Sequence, residues 1–332
     1  MKVLVTGATG FLGGHLVEAL LHHGHQVVAM ARQGSDTELL DRLRVEVRRA
    51  DLGDVESLQK ALLGTDIVIH LAAYYTFSGK KEMYDRVNVQ GTRNLLEAMG
   101  RANVRSIIYC SSTEAMGPTH DGAADENSPC LPYYEYGRSK LRAENLVSKA
   151  SAKGIEHVIL RPSGVYGPRN LDDVSYWFIT TFAKTMASKF IIGDGKKVLQ
   201  FVHVSDVVQG FILALERFQA VKGRTFIISD SRAYSYEEIY AILAVIFGKD
   251  PPVMHIPVPL AKVMVAPVQL VNWIRGKPNF IWRVSTMDTF KVDRNYSIAK
   301  AKTELGYQPK RSLPEGLTET AIWYKKNGHL NQ

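Results

Sequence analysis

The sequence predicts an α/β protein in which a doubly wound parallel sheet is joined to a smaller, helix-rich lobe. Strand-like apolar runs alternate with helix-like stretches through the first half of the chain, which is the pattern of βαβ units. Three glycines follow the first run at three-residue spacing. The alternation stops after Pro162, and the later part of the chain is rich in helix-like stretches broken by prolines.

The alternating elements can be placed in order along the chain. Because right-handed crossovers join parallel strands, all strands should end at one edge of the sheet, where ligands bind in such folds. The predicted strands are residues 2–5, 26–31, 45–48, 66–73, 106–112, 157–162 and 225–229, and the predicted helices are residues 14–23, 55–63, 87–101 and 137–153.

The break in the alternation predicts two parts of unequal size. We expect residues 1–165 and 201–230 to form a nucleotide-binding domain, and residues 166–200 and 231–332 to form a substrate-binding lobe. Residues 253–273 are apolar, but prolines and polar residues interrupt them, so they make a poor membrane span. Amphipathic helices lining an apolar pocket are the main interpretation of this region, and contact with a bilayer is the alternative.

Composition narrows the class of partner. The chain of 332 residues has a net charge of +8, but its basic residues are scattered, so we expect no nucleic-acid partner. Cys110 and Cys130 have no zinc spacing, and Cys110 lies in a predicted strand, which favours free thiols in a reducing compartment. Since no signal peptide precedes the first strand, we expect a cytoplasmic protein, with peripheral membrane association left open.

Gly7, Gly10 and Gly13 stand between the first predicted strand and the first helix. Glycines at these places let the backbone turn tightly and approach a pyrophosphate, while free N–H groups at the helix start face the phosphates. Because the motif occupies the first βαβ unit, where this mechanism requires it, the sequence predicts a nucleotide site.

Tyr136 and Lys140 are four residues apart and therefore share one face of a predicted helix. The same spacing recurs at Tyr296 and Lys300, but that copy lies in the predicted substrate lobe and we discard it. The first copy follows a strand that ends in hydroxyl residues, so Ser112 should meet it at the ligand-binding edge. An ammonium beside a tyrosine favours the tyrosinate, and a serine can hold a substrate oxygen, which together suit proton exchange with an alcohol or ketone.

These motifs resemble those of the extended short-chain dehydrogenases/reductases, and the resemblance covers nearly the whole chain. It implies a Rossmann fold, an NAD(P)-dependent enzyme with Ser112, Tyr136 and Lys140 as catalytic residues, and a homodimer paired through helices at about 88–101 and 137–152. The cofactor-binding residues that it implies are Gly7, Thr9, Gly10, Phe11, Leu12, Gly13, Arg32, Asp51, Leu52, Leu71, Ala72, Ala73, Asn88, Tyr136, Lys140 and Pro162.

The end of the second predicted strand bears on the cofactor. NAD-preferring members of this family usually carry a carboxylate there, whereas this chain has Ala31 followed by Arg32. Arg32 and Ser35 suit a ribose 2′-phosphate, because a guanidinium matches phosphate geometry. We therefore favour NADP(H), with NAD(H) as the alternative if Arg32 only stacks on adenine or faces water.

Two positions separate the subgroups of the family. Related dehydratases carry Asp-Glu after the catalytic hydroxyl residue, whereas Thr113 and Glu114 follow Ser112, so the acid is missing. Sugar-nucleotide enzymes usually place an arginine at the position of Leu199 to clamp the substrate's pyrophosphate, which leucine cannot do. Both positions resemble the 3β-hydroxysteroid dehydrogenase group, which implies a largely apolar substrate.

We therefore expect an oxidoreductase that interconverts a secondary alcohol and a ketone on a sterol-like or other lipid substrate. The first alternative is a sugar-nucleotide 4-epimerase with tightly bound NAD, in which Lys196 or Lys197 would replace the missing clamp. The second alternative is a non-catalytic nucleotide-sensing protein, against which the intact Ser112, Tyr136 and Lys140 argue, because a sensor needs no proton relay.

Overall fold

A seven-stranded parallel sheet is the centre of the structure, a computed structural model that describes residues 1–76, 79–120, 122–171, 174–184, 186–276 and 282–330. Its strand order is β11-β6-β5-β4-β1-β2-β3, and all its pairs are parallel. This doubly wound order confirms the predicted fold class. The strands are β1 Lys2–Thr6, β2 Gln26–Ala31, β3 Glu46–Arg49, β4 Ile67–His70, β5 Ser106–Cys110, β6 Glu156–Pro162, β7 Gly164–Tyr166, β8 Phe190–Ile192, β9 Val198–Leu199, β10 Phe201–His203, β11 Thr225–Ile228, β12 Tyr234–Ser235 and β13 Met254–Ile256.

Helices cover both faces of the sheet and form much of the second half of the chain. The α-helices are α1 Phe11–His22, α2 Glu38–Arg42, α3 Val55–Leu62, α4 Lys81–Tyr84, α5 Gly91–Arg101, α6 Glu135–Lys149, α7 Val174–Lys184, α8 Val204–Glu216, α9 Phe218–Val221, α10 Tyr236–Phe247, α11 Val258–Ile274 and α12 Leu313–Lys326. Two π-helical turns, Asp85–Gln90 and Ala301–Leu305, and 3₁₀ turns at Thr113–Ala115, Ala150–Lys153, Met186–Lys189 and Val284–Lys291 complete the elements.

Two apolar layers sandwich the sheet. Leu16 of α1 and Phe211 of α8 belong to the core on one face, and Leu95 of α5 and Val147 of α6 belong to the core on the other. All four side chains are fully buried. Because both faces are covered, the middles of the central strands are continuous apolar runs, Val3 to Val5 in β1 and Ile67 to Ile69 in β4, and do not alternate with polar residues.

Several predicted bounds were wrong by a few residues. The strand predicted at 66–73 ends at His70, because its partner β1 ends at Thr6 and pairing stops there. The first residues of the helix predicted from residue 87 belong to a π-helical turn over Asp85–Gln90, and the α-helix begins at Gly91. Helix α6 begins at Glu135, two residues before the predicted start, so Tyr136 lies in its first turn.

The later part of the chain adds three two-stranded pairs, β10 with β7, β12 with β9 and β13 with β8. Tyr296 and Tyr307, in the segment assigned to the substrate lobe, are buried in the same core as the sheet. The division into two parts stays a prediction. Both cysteines are free thiols, as predicted, and no helix in the described part of the chain is long and apolar enough to cross a membrane.

Candidate active site

A single cavity of about 1550 Å³ extends from the C-terminal edge of the sheet into the later part of the chain. Its location agrees with the rule that ligands bind where parallel strands end. It brings together most of the residues that the sequence pointed to. The predicted site residues that line it are Gly7, Thr9, Gly10, Phe11, Leu12, Arg32, Asp51, Leu52, Leu71, Ala72, Ala73, Ser112, Tyr136 and Pro162.

The glycine motif packs the start of α1 closely against the end of β1. Gly7 has a positive φ of 72°, and a Cβ built on Gly13 would lie 2.0 Å from the carbonyl oxygen of Gly7. Gly13 therefore serves to bring α1 against the end of β1, and it does not itself line the cavity. Gly10 caps α1 without a side-chain hydrogen bond, so the first N–H groups of this helix remain available for phosphates. These features fit a dinucleotide.

Arg32 lies at the end of β2, where it lines the cavity beside Ser35. Its side chain is exposed and makes no hydrogen bond or ion pair within the described ranges. The nearby Arg49 donates a hydrogen bond to the carbonyl oxygen of Arg32 at 2.9 Å, which fixes this loop. The Arg32 guanidinium, which has no partner within the described residues, therefore lies where the family resemblance predicts the adenine ribose of the cofactor.

Tyr136 and Ser112 face the cavity from neighbouring elements. Tyr136 is only 7% exposed, and its ring packs edge-on against Tyr75 with 5.0 Å between ring centroids. The Ser112 Oγ accepts a hydrogen bond from the Glu114 backbone N–H at 3.1 Å. This bond caps the short turn that follows β5 and leaves the hydroxyl hydrogen of Ser112 to donate toward the cavity.

Lys140 lies one turn further along α6, and it does not line the cavity. Its Nζ donates to the Cys110 carbonyl oxygen at 2.5 Å and stands 4.4 Å above the ring of Tyr109. Burial lowers the pKa of Lys140 to about 8, an effect that the weaker fields of Cys110 and Glu144 only partly oppose. The Lys140 ammonium thus lies behind the cavity wall and not in the cavity itself.

Asn88 also lies outside the cavity lining, although the resemblance implied cofactor contact. Its Oδ1 accepts from the Tyr74 N–H at 2.6 Å, and its Nδ2 donates to the Ser139 Oγ at 2.8 Å. Asn88 therefore ties the loop after β4 to helix α6. Through these bonds it positions the wall that Ala72, Ala73 and Tyr136 form.

A buried network at the end of β1 was not found by sequence reasoning. The Thr6 Oγ1 and His70 Nδ1 are 2.7 Å apart, and the His70 Nε2 is 3.1 Å from the Thr92 Oγ1. Burial lowers the pKa of His70 to about 3, so the imidazole is neutral. The Thr6 Oγ1 also accepts from the Ala72 N–H, which fixes the cavity wall beside the glycine motif. Each residue is an ordinary strand or helix residue in the sequence, and no spacing motif joins them.

A second missed pair joins the two halves of the chain at the cavity. The Arg294 Nε donates to the Glu114 Oε1 at 2.9 Å, and both side chains are mostly buried. Burial opposes the charge of Arg294, but the facing Glu114 carboxylate raises the pKa of the guanidinium. Sequence analysis singled out Glu114 but had no signal for a partner 180 residues away.

Tyr296 and Lys300, the discarded copy of the tyrosine–lysine spacing, have other partners. The Tyr296 hydroxyl donates to the Gly117 carbonyl oxygen at 2.9 Å, and the Lys300 Nζ donates to the Thr225 carbonyl oxygen at 2.9 Å. Both bonds join the last part of the chain to loops and strands of the sheet. Tyr296 lines the cavity, but its hydroxyl is committed to the backbone.

The half of the cavity beyond Tyr136 is lined mainly by apolar side chains. Helix α11 contributes one wall, as predicted for the 253–273 region, and β8, β9 and the 3₁₀ segment Val284–Lys291 contribute others. Leu199 also lines the cavity at the position where an arginine clamp would be expected in a sugar-nucleotide enzyme. The main apolar lining residues here are Phe178, Phe182, Phe190, Ile192, Leu199, Phe201, Met264, Val265, Val268 and Phe290.

The two lysines considered as replacements for that clamp point elsewhere. Neither Lys196 nor Lys197 lines the cavity, and the Lys197 Nζ forms an ion pair with Asp293 at 3.0 Å. Arg169 does line the cavity, but Glu18 holds its guanidinium through hydrogen bonds of 3.0 and 2.6 Å. The apolar half of the cavity thus carries little unpaired positive charge in the described part of the chain.

Comparisons with known proteins identify the family of the chain. Residues 3–229 match the model of the NAD dependent epimerase/dehydratase family. The chain is 32% identical to the sterol-4-alpha-carboxylate 3-dehydrogenase, decarboxylating, of Bos taurus, over 96% of this chain and 91% of that protein. It is 30% identical to sterol demethylase protein B of Methylococcus capsulatus, over 99% of this chain and 100% of that protein. A structure of UDP-glucuronic acid 4-epimerase from Bacillus cereus with UDP-glucuronic acid and NAD has a TM-score of 0.78 at 28% identity, covering 98% of this chain and 100% of that chain.

The fold and the site therefore define an enzyme of the extended short-chain dehydrogenase/reductase type. The chain belongs to the NAD-dependent epimerase/dehydratase family. Its homologues include sterol dehydrogenases, and its structural neighbours include sugar-nucleotide epimerases with bound NAD. A shared fold does not fix the substrate, which depends on the residues that line the cavity.

Proposed function

We propose that the protein is an NAD(P)-dependent dehydrogenase/reductase that interconverts a secondary alcohol and a ketone on a largely apolar, sterol-like or other lipid substrate. The observation that carries this proposal is the apolar lining beyond Tyr136, with Leu199 at the clamp position. An apolar pocket with few polar groups near the reacting centre suits a lipid alcohol. The sterol enzymes among the relatives point to the same substrate class.

Each member of the triad has a separate role in this proposal. In alcohol oxidation, Tyr136 takes the hydroxyl proton of the substrate, and in ketone reduction it returns that proton to the carbonyl oxygen. Ser112 donates a hydrogen bond to the same oxygen, since its own Oγ already accepts from Glu114. Lys140 provides a buried positive charge beneath Tyr136 that favours the tyrosinate. When bound, the nicotinamide accepts or supplies the hydride.

The cofactor would lie along the glycine motif and the ends of β1, β2 and β4. We infer NADP(H) as the preferred form, because the side chain of Arg32 has no partner among the residues that the structure describes and no carboxylate ends β2. NAD(H) is the alternative that the family description and the neighbouring structures favour. The residues expected to hold either form are those that line the nucleotide end of the cavity.

The phenol hydroxyl of Tyr136 provides the direct test. Tyr136→Phe keeps the ring and its contact with Tyr75 but removes the group that exchanges the proton. We expect turnover to fall by roughly 10²- to 10⁴-fold in a variant that still binds the cofactor. Tyr133→Phe, at an exposed position in the same segment, is the matched control and should keep full activity. A Tyr136→Phe enzyme that binds cofactor and retains full turnover would exclude the proposed role.

A sugar-nucleotide 4-epimerase is the second candidate, and one observation favours it. The epimerase structure with bound UDP-glucuronic acid aligns along nearly the whole chain. Such an enzyme would retain stoichiometric NAD on purification and interconvert UDP-sugars without net oxidation.

A further inference from the structure

Helix α11 exposes an unusual number of apolar side chains. Of the 17 large apolar side chains that are exposed among the described residues, eight lie on this helix of 17 residues. We call the exposed apolar side chains of α11, from Leu260 to Ile274, the α11 face. Trp273 is 73% exposed and Val263 is 70% exposed. Scattered exposed apolar residues are ordinary, but a contiguous set of this size marks an interaction surface.

The inner side of the same helix is fixed to the protein. Val258, Ala261 and Val265 are buried and pack against Met287. The Lys262 Nζ also forms an ion pair with Asp288 at 2.7 Å. The α11 face is therefore presented by an anchored helix, and its exposure does not depend on a loop conformation.

The charges around this face favour an anionic partner. Residues 251–276 contain no Asp or Glu, and the whole chain has a net charge of +8. Lys262 is neutralised by Asp288, so the positive charge next to the face is that of the exposed Arg275, which follows the last residue of α11. Apolar side chains with a tryptophan and an arginine at one end match the requirements of an anionic phospholipid surface. A second copy of this chain would instead bring two faces with the same sign of charge together.

The helix can lie on a bilayer, but it is not suited to crossing one. At 17 residues α11 is about 25 Å long. Lys262 and Pro267 interrupt its sequence, and no helix within the described ranges has the length and apolarity of a membrane span. The geometry is that of a surface helix with its apolar side against the acyl chains.

The α11 face is continuous with the cavity. Met264 and Val268 line the cavity, and they are also 53% and 38% exposed. We propose that the α11 face docks the protein on an anionic phospholipid bilayer and opens the apolar half of the cavity toward the lipid. The entry of a lipid substrate by this route rests on the proposed function, whereas docking itself does not.

Sedimentation of the full-length chain with vesicles tests the docking. We expect binding to vesicles of phosphatidylcholine and phosphatidylserine, and weaker binding to phosphatidylcholine alone. The variant V263Q/W273Q/I274Q should bind at least roughly tenfold more weakly, because it loses apolar area from the face. The matched control L63Q/V245Q/I322Q changes three side chains that are at least 57% exposed elsewhere, and it should bind like the wild type.

A spectroscopic measurement covers the case in which the triple variant does not fold. Brominated phospholipids should quench the tryptophan fluorescence of the wild type, and W273F should lose most of this quenching while it keeps an apolar side chain at the position. The proposal is overturned if the wild type stays in the supernatant, if both triple variants bind equally, or if the face proves to join two copies in solution. Turnover of a water-soluble ketone by V263Q/W273Q/I274Q reports on the proposed function separately.

Discussion

The buried positive charge of Lys140 serves its proposed role but lowers the stability of the folded protein. Its ammonium is buried, and its pKa falls from 10.5 to about 8 because burial penalises the charged form. The unfolded chain therefore binds this proton more tightly than the folded protein does. The penalty on folding is complete below about pH 8 and is relieved as the pH rises from about 8 to 10.5.

Lys140→Met should therefore stabilise the protein while it abolishes activity. The pKa shift corresponds to roughly 3 kcal/mol, and loss of the hydrogen bond to Cys110 removes about 1 kcal/mol of that gain. We expect urea denaturation at pH 7 to give a free energy of unfolding about 2 kcal/mol above that of the wild type. The difference should shrink as the pH approaches 10. A variant that is less stable than the wild type at pH 7 would contradict this account.

Arg32 is the residue that should decide between the two cofactors. Its side chain has no internal partner in the described part of the chain, so its removal leaves no buried group unsatisfied. We expect Arg32→Ala to raise the Kd for NADP⁺ by roughly 10- to 100-fold, as for loss of a charge-assisted hydrogen bond. The Kd for NAD⁺ should hardly change, and Arg42→Ala, on the neighbouring helix α2, should affect neither. An equal rise in the Kd for NADP⁺ and the Kd for NAD⁺ would show that Arg32 does not bind the 2′-phosphate.

At the scale of elements, helix α6 carries the proposed catalytic residues Tyr136 and Lys140, and a buried ion pair holds this helix against the sheet. The Arg161 guanidinium on β6 forms two hydrogen bonds to the Glu144 carboxylate, at 2.9 and 2.7 Å. Both side chains are less than 10% exposed. Since Glu144 lies one helical turn from Lys140, this pair fixes the distance between α6 and the sheet.

Glu144→Gln should destabilise the protein strongly, because it leaves the buried charge of Arg161 without compensation. We expect a loss of about 3–5 kcal/mol in the free energy of unfolding. Glu135→Gln removes the partner of Arg138 in an exposed pair on the same helix, and it should cost less than about 1 kcal/mol. Urea denaturation of both variants measures the difference. Similar losses in the two variants would mean that the buried pair does not anchor α6.

Local patterns in the sequence predicted most helices and strands of the sheet and the main motifs of the site. Features that depend on contacts between distant segments could not be predicted. The glycine motif and the Tyr136–Lys140 spacing are local, so each could be recognised without a structure. The burial of Lys140 could not, because it depends on Tyr109 and Cys110 from a neighbouring strand. The Glu114–Arg294 pair needs two segments that only the folded chain brings together.

At the scale of the whole molecule, the two ends of one cavity have different chemistry. The nucleotide end combines free helix N–H groups with Arg32, whereas the far end is built from aromatic and aliphatic side chains of the later part of the chain. This division suits the proposed function, in which a charged cofactor and a lipid substrate would meet at Tyr136. The homodimer implied by the resemblance stays a prediction, and light scattering would show whether the particle has twice the mass of the 37.1 kDa chain.

The most direct measurement is the turnover of the purified enzyme with exchangeable cofactor. The protein would be incubated with NADP⁺ or NAD⁺ and either a 3β-hydroxysteroid panel, other lipid alcohols or UDP-sugars, and formation of reduced cofactor would be followed by absorbance. We predict steady formation of NAD(P)H with an apolar secondary alcohol and none with UDP-sugars. Tightly retained NAD together with interconversion of UDP-sugars, and no net reduction of added cofactor, would contradict the account.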